Sequence, residues 1–283
     1  MQSVGPMTAE VRYGEYEVVA PLASGGMGGV YLAMHRTTGD RVALKVLDPM
    51  FANHAEVVEC LYAEHAVSAR ASHPGLVEIR AASRSSDDIP FLVMEYLEGE
   101  TLAAISQRGL LDLETIADAC ARIATALAAL HAVGIVHCDV KPENLFVLHG
   151  GGVKVIDFGV SRHVDEPSHD ESISGTPAYM APEQWRGAPV LASDVYSLGC
   201  VMYELLTGDV PFDGSLPQLM MAHTEQRPAQ PSWLRAAVPM ELERLVLRAL
   251  AKDPAMRPTM AEIARSLARL VDVREELPLR LAG

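Results

Sequence analysis

Up to Met94, apolar residues come in short runs broken by turn-forming residues. Strands are predicted over residues 16–20 and 30–33, on either side of a glycine cluster, and a third over 41–47 follows the turn Thr38-Gly39-Asp40. A helix fits 56–70 and stops before His73-Pro74, and two further apolar runs, 76–79 and 91–94, complete a small sheet-rich region. Past Glu95 the period changes. Leu113, Ile116, Cys120, Ile123, Leu127 and Leu130 recur at alternating spacings of three and four, the stripe of a helix with one buried face. Residues 193–206 and 261–271 read as two more helices, and neither an internal repeat nor a low-complexity linker interrupts the pattern. The chain is therefore predicted to be α+β. A sheet-rich lobe with one helix spans 13–94, a connection 95–98 and a larger helical lobe 99–272, with tails at 1–12 and 273–283. A ligand is expected in the cleft between two such lobes.

The 283 residues are 49% hydrophobic, enough to bury a core for one bilobal domain or two small ones. A formal net charge of −14 with no basic run argues against a nucleic-acid surface, while it tolerates basic protein substrates. The four cysteines, Cys60, Cys120, Cys138 and Cys200, are far apart and form no CxxC pair, which reads as reduced thiols in a cytoplasmic protein. The first 13 residues hold no apolar signal core. The stretch without Asp, Glu, Lys or Arg between Arg122 and Asp139 is shorter than the roughly 18 apolar residues of a bilayer span, so a soluble chain is expected.

The glycine cluster is Ser24-Gly25-Gly26-Met27-Gly28-Gly29. Glycines let backbone N–H groups approach a phosphate with no Cβ in the way, although a glycine-rich hairpin alone is more often only a turn. Val42-Ala43-Leu44-Lys45 follows on the next strand. A lysine ending an apolar segment is costly to bury without partners. A phosphate oxygen and a carboxylate from the following helix, for which Glu64 is best placed, would satisfy Lys45. The competing reading is a strand-end lysine that reaches solvent. His137-Cys138-Asp139-Val140-Lys141-Pro142-Glu143-Asn144-Leu145 then lies between a long helix and a strand, and Val155-Ile156-Asp157-Phe158-Gly159 follows the turn Gly150-Gly151-Gly152. Phosphoryl transfer needs metal-binding oxygens, a carboxylate that orients the attacking hydroxyl, and cations that neutralise developing charge. Asn144 and Asp157 can supply the first, Asp139 the second, and Lys45 and Lys141 the third.

In this order and spacing the motifs resemble those of the protein kinases, most closely the bacterial eukaryotic-like Ser/Thr kinases, over roughly 16–270. The resemblance extends to Gly175-Thr176-Pro177-Ala178-Tyr179-Met180-Ala181-Pro182-Glu183, to Ser193-Asp194-Val195-Tyr196-Ser197-Leu198-Gly199, and to Asp253-Pro254 followed by Arg257-Pro258. It implies the bilobal protein-kinase-like fold and transfer of the γ-phosphoryl group of ATP to Ser/Thr hydroxyls of proteins, the chain itself included. It also implies ATP and Mg²⁺ as cofactors, with Mn²⁺ as an alternative metal. Leu22, Gly25, Gly26 and Gly28 would bind nucleotide from the glycine loop, and Lys45, paired with Glu64, would contact the α- and β-phosphates. Val30, Ala43 and Leu145 would sandwich the adenine, whose edge would bond backbone at Glu95 and Leu97, with Met94 as gatekeeper. Asp139 would orient the acceptor hydroxyl and take its proton, Lys141 would lie near the γ-phosphate, and Asn144 and Asp157 would hold the metal, Asp157 also belonging to the nucleotide site. Glu183 and Arg257 would form a buried ion pair, and Asp194 would anchor the loop that carries Asp139. Lys141 with Gly175-Thr176-Pro177 matches the Ser/Thr-specific pattern, in which the Thr176 hydroxyl bridges Asp139 and Lys141.

Two rivals stand beside this reading: a nucleotide-binding pseudokinase that acts as a scaffold, and a small-molecule phosphotransferase of the same fold. The presence of Lys45, Asp139 and Asp157 argues against the first, and the Ala181-Pro182-Glu183 platform with Thr176 against the second. Many bacterial relatives carry a membrane anchor and sensor after the kinase domain. A chain ending at Gly283 is expected to be either a free cytoplasmic kinase or the cytosolic piece of a longer protein, and homodimerisation is compatible with the family.

Departures from the pattern are few. Ala23 replaces the usual first glycine of the loop, and Cys138 replaces the arginine that usually precedes the catalytic aspartate. That arginine answers an activation-loop phosphate. Of the usual basic pocket only Arg162 can be matched, while Asp165, Glu166, Asp170 and Glu171 surround Ser168 and Ser172. Activity is therefore expected not to depend on phosphorylation of Ser161, Ser168, Ser172 or Ser174. For Cys138, a redox role competes with an inert thiol raised in pKa by its carboxylate neighbour. His163 and His169 read as loop residues rather than metal ligands. Glu143 and Glu100 either favour a basic residue in the substrate or are plain surface charge.

Overall fold

The computed structural model describes residues 12–165 and 174–275. Two compact units divide it. One runs to Arg70 and adds Val77–Glu98; the other takes Ala71–Leu76 and the described residues from Gly99 onward. The first is a sheet with one long helix and the second is mostly helical, which makes the chain α+β and bilobal.

In the first unit the elements are β1 (Arg12–Tyr13), β2 (Tyr16–Gly25), β3 (Gly28–His35), β4 (Arg41–Leu47), α1 (Ala55–Arg70), β5 (Ile79–Arg84) and β6 (Pro90–Glu95). The strands form one antiparallel sheet in the order β1-β2-β3-β4-β6-β5. Successive side chains of a strand point to opposite faces. On one face Ala33, Val42, Leu44, Val46, Phe91 and Val93 form a buried cluster. The intervening positions fall on the other face, where Val30 lies opposite Lys45 and Ala43 opposite Met94. The buried positions of α1, which packs on β5 and β6, are Val58, Leu61, Glu64 and Val67. Their spacing of three is a helical stripe, so the fold carries Glu64 inward with its apolar neighbours.

β2 and β3 are longer than the apolar pattern indicated. They run into the glycine cluster, pair Gly25 with Gly28 and leave Gly26-Met27 as the turn, with register slips at Val18/Ala20 and Pro21/Ala23. The apolar run 76–79 is not a strand. Leu76 makes an isolated parallel bridge to Val155 within the second unit, and the strand is Ile79–Arg84, paired with β6. Leu76 and Val77 are buried without belonging to a strand, while Arg80, Ser83 and Arg84 hide β5 from a hydrophobic reading.

The second unit holds β7 (Gly99–Thr101), α2 (Leu102–Ser106), α3 (Leu113–Ala132), β8 (Ile135–Val136), β9 (Leu145–Leu148), β10 (Val153–Val155) and β11 (Arg162–His163). It continues with α4 (Leu191–Thr207), α5 (Leu216–Glu225), α6 (Pro231–Leu234), α7 (Met240–Ala249) and α8 (Met260–Glu275). The stripe of α3 is buried as its spacing requires, and Asp112 caps the helix by accepting the N–H groups of Glu114 and Thr115, worth about 1 kcal/mol. α3 packs on α4 and α8. α4 is buried nearly all round, as expected of a helix through the middle of a core. Each of its wholly buried leucines, Leu198 and Leu206, contributes roughly 1.5–3 kcal/mol on removal from water. No helix among the described residues is long and apolar enough to cross a membrane.

Candidate active site

The loop from His137 to Asn144 is held from below by α4. Asp194, in the first turn of that helix and fully buried, accepts the backbone N–H of His137 at Oδ2 (2.9 Å) and of Cys138 at Oδ1 (3.0 Å). His131, in the last turn of α3, adds a ring nitrogen 2.8 Å from Oδ2. These bonds sustain a left-handed backbone at Cys138 (φ 68°), which costs of order 1–3 kcal/mol in a residue other than glycine. His137 is buried and wired at both nitrogens. The Asp139 N–H donates to Nδ1 (3.3 Å), so the ring proton sits on Nε2 and is donated to Ile156 O (3.2 Å).

Three side chains then converge on the Asp139 carboxylate. Thr176 Oγ1 donates to Oδ1 (2.7 Å), and Lys141 Nζ lies 2.7 Å from Oδ2 and 2.8 Å from Thr176 Oγ1. Asn144 Nδ2 donates to both the Asp139 backbone O (2.9 Å) and Oδ2 (3.1 Å). With its NH₂ so committed, Asn144 keeps Oδ1 as an acceptor that neither bond occupies. The β9–β10 hairpin, turning at 150–152, pairs Leu145 with Val155, and the Ile156 N–H donates to Asn144 O (2.9 Å). Asn144 and Asp157 are thereby brought to the same end of one hairpin. Asp157 is again left-handed (φ 66°), and Phe158 after it is fully buried against His137, ring centroids 5.7 Å apart.

In the first unit Lys45 Nζ meets Glu64 Oε1 at 2.6 Å, with the lysine side chain 29% and the glutamate 3% exposed. The strand-end lysine reaching solvent is therefore not what is seen. Val30, Ala43, Lys45 and Met94 share one sheet face, and Leu22 is the unpaired residue of a bulge in β2. Glu95 closes β6, its N–H bonded to Glu78 O and its side chain to the Glu78 N–H, and Leu97 lies just past it. Leu145, fully buried, belongs to the other unit. The glycines differ in why they are glycine. A Cβ on Gly28 would stand 2.0 Å from Val46 O, whereas one on Gly26 would meet nothing within 4 Å and one on Gly25 only Gly28 O at 3.8 Å. Packing demands Gly28; it does not demand Gly25 or Gly26.

The Cys138 thiol points into the protein. Burial pushes its pKa well above the ordinary value, with Asp194 reinforcing this and Arg162 opposing it. Burial alone raises Cys120 to about 12. Of the four cysteines only Cys60 is exposed. A mild thiol reagent on the native protein is expected to add one label, at Cys60, with the other three reacting only after unfolding. Native labelling of Cys138, read by peptide mass, would contradict the inert assignment.

Ser161 Oγ donates to His137 O (3.2 Å), and Ser174 O lies 3.4 Å from Gln184 Nε2. Ser168, Ser172, His169, Glu166, Asp170 and Glu171 lie outside the described residues. Among the described residues no group of three or more His, Cys, Asp or Glu side chains could hold a metal ion, His163 included. Gln184, His131 and the ring of His137 were not foreseen as parts of the site. Each works by a hydrogen bond across a long stretch of sequence, which leaves no local pattern.

A family profile described as protein kinase domain matches residues 16–267. The chain belongs to the protein kinase family. Among curated relatives it is 40% identical over 253 residues to the serine/threonine-protein kinase Pkn1 of Myxococcus xanthus, covering 86% of this chain and 36% of that protein. It is 36% identical over 255 residues to the serine/threonine-protein kinase PrkC of Bacillus subtilis, covering 88% and 39%. It is 38% identical over 272 residues to the serine/threonine-protein kinase PknB of Mycolicibacterium smegmatis, covering 90% and 43%. The chain thus spans about two fifths of the length of the relatives it matches. Kinases of this family use ATP and a divalent metal.

Proposed function

We propose that this chain is an active protein serine/threonine kinase that moves the γ-phosphoryl group of ATP to hydroxyl groups of proteins. The observation that carries this is the cluster on Asp139. A carboxylate receives a threonine hydroxyl, an ammonium and an amide. Asp139 takes the proton of the acceptor hydroxyl while that oxygen bonds to the γ-phosphorus and the bond to the β-phosphate oxygen breaks, releasing ADP. Lys141 remains protonated and balances charge on the transferring group. Lys45, held by Glu64, does the same for the α- and β-phosphates. The open space over Gly25 and Gly26 supports a loop shaped for close approach by phosphate rather than by protein.

Mg²⁺, or Mn²⁺ in its place, fits the oxygen donors Asn144 Oδ1 and Asp157, a small hard set that suits an ion keeping waters and phosphate oxygens as its other ligands. When bound, the metal neutralises charge on the β- and γ-phosphates. Thr176 beside Lys141 supports serine and threonine as acceptors, and the chain's place of work is the cytoplasm, where ATP is available. The homologues named as kinases and the intact Lys45, Asp139 and Asp157 leave the scaffold alternative without an observation in its favour.

The metal assignment has its own test. Transfer by the wild type is expected to rise with added Mg²⁺ and to stop on chelation. Asp157→Ala is expected to transfer nothing at any Mg²⁺ concentration, and Asn144→Ala to need more Mg²⁺ for the same rate. Wild-type turnover by Asp157→Ala would overturn the assignment.

A further inference from the structure

Both backbone polar groups of Cys138, the residue ahead of the Asp139 carboxylate, are held by buried side chains. Its N–H goes to Asp194. Its carbonyl oxygen receives Gln184 Nε2 at 2.7 Å. Gln184 is 2% exposed, and the rest of its amide is also engaged: Oε1 accepts the Ala181 N–H (3.0 Å), and Nε2 lies 3.4 Å from Ser174 O. Gly175 (φ 124°) packs directly on this contact, since a Cβ there would stand 2.9 Å from Cys138 O and 3.2 Å from Gln184 Nε2.

A peptide unit is planar, so the Cys138 carbonyl oxygen lies in one plane with the N and Cα of Asp139. Fixing that oxygen fixes the plane from which the Asp139 side chain departs. The left-handed backbone at Cys138 makes such a constraint necessary, because the conformation persists only when its surroundings impose it. The same amide is bound to residues on either side of Thr176, which donates to Asp139.

We propose that Gln184 is a positioning residue for Asp139: it clamps the peptide plane ahead of the carboxylate and ties to it the segment that carries Thr176. The proposal rests on Asp139 being the base of a protein kinase.

Wild type, Gln184→Leu and Gln184→Glu decide it. Leucine keeps similar bulk and makes no hydrogen bond. Glutamate keeps an acceptor for the Ala181 N–H, but as a carboxylate it cannot donate to Cys138 O. In both variants kcat for phosphorylation of a protein substrate is expected to fall at least about tenfold, with KM for ATP within about twofold of wild type. Wild-type kcat in either variant overturns the proposal. So does a fall in kcat accompanied by an equal rise in KM for ATP and loss of the thermal transition, which would mark general damage. Hydrogen exchange of the 137–141 amides is read on the same proteins and needs no turnover. Faster exchange in both variants is expected, and unchanged exchange overturns the clamp. Failure of the kinase reading is distinguishable, because it would appear as absent transfer by the wild type.

Discussion

Asp139→Asn is expected to lower kcat by about 10³-fold, within the range of lost general-base catalysis, and to leave KM for ATP nearly unchanged. The carboxylate receives donors only: Thr176 at Oδ1, and Lys141 with Asn144 at Oδ2. An asparagine can keep its oxygen toward Lys141 and Asn144 and turn its NH₂ toward Thr176 Oγ1, which then accepts instead of donating. The loop stays anchored, because Asp194 and Gln184 hold backbone groups that the substitution does not touch. What is lost is the group proposed to receive the proton. A kcat near wild type would show that Asp139 is not the base, while loss of nucleotide affinity together with folding would show that the substitution acts through structure.

Glu183→Ala is expected to destabilise the fold by about 3–5 kcal/mol, the cost of leaving a buried charge unpaired. Every N–H of the Arg257 guanidinium is spoken for. Nη1 and Nη2 bond Glu183 in parallel (2.6 and 2.9 Å), and the other three donors go to the backbone oxygens of Ala251, Ala192 and Lys252. The arginine side chain is 0% exposed. Ser193 Oγ adds a 2.6 Å bond to Glu183 Oε1. Removing the carboxylate opens a cavity and leaves a buried cation without its counter-charge. At roughly 2–4 °C per kcal/mol for a domain of this size, Tm is expected to fall by about 10 °C. An unchanged Tm would contradict the weight placed on this pair.

The parts of the fold written in local pattern were legible. The α3 stripe and the central strand β4 follow from periodicity, and Lys45 needed a partner because it closes the apolar run Val42-Ala43-Leu44, with Glu64 the carboxylate best placed on the following helix. Strand β5 was misplaced because its alternation includes two arginines and a serine, whereas the more apolar run just before it serves as packing without strand pairing. The glycine hairpin was recognised but its length was not, since glycines carry no side-chain pattern to mark where pairing ends. Within the site, Asp139, Lys141, Asn144 and Thr176 could be named from motif resemblance. Gln184 could not, because its role depends on meeting Cys138 O across 46 positions of sequence, and nothing beside either residue signals that meeting.

The most direct test of the central claim is transfer of labelled phosphate from Mg·ATP to the protein itself and to a generic basic protein, with wild type run beside Asp139→Asn and the products hydrolysed to phosphoamino acids. Labelled phosphoserine or phosphothreonine made by the wild type and absent from the mutant is the predicted result. Nucleotide binding without transfer by the wild type, or label that persists in Asp139→Asn, would contradict it.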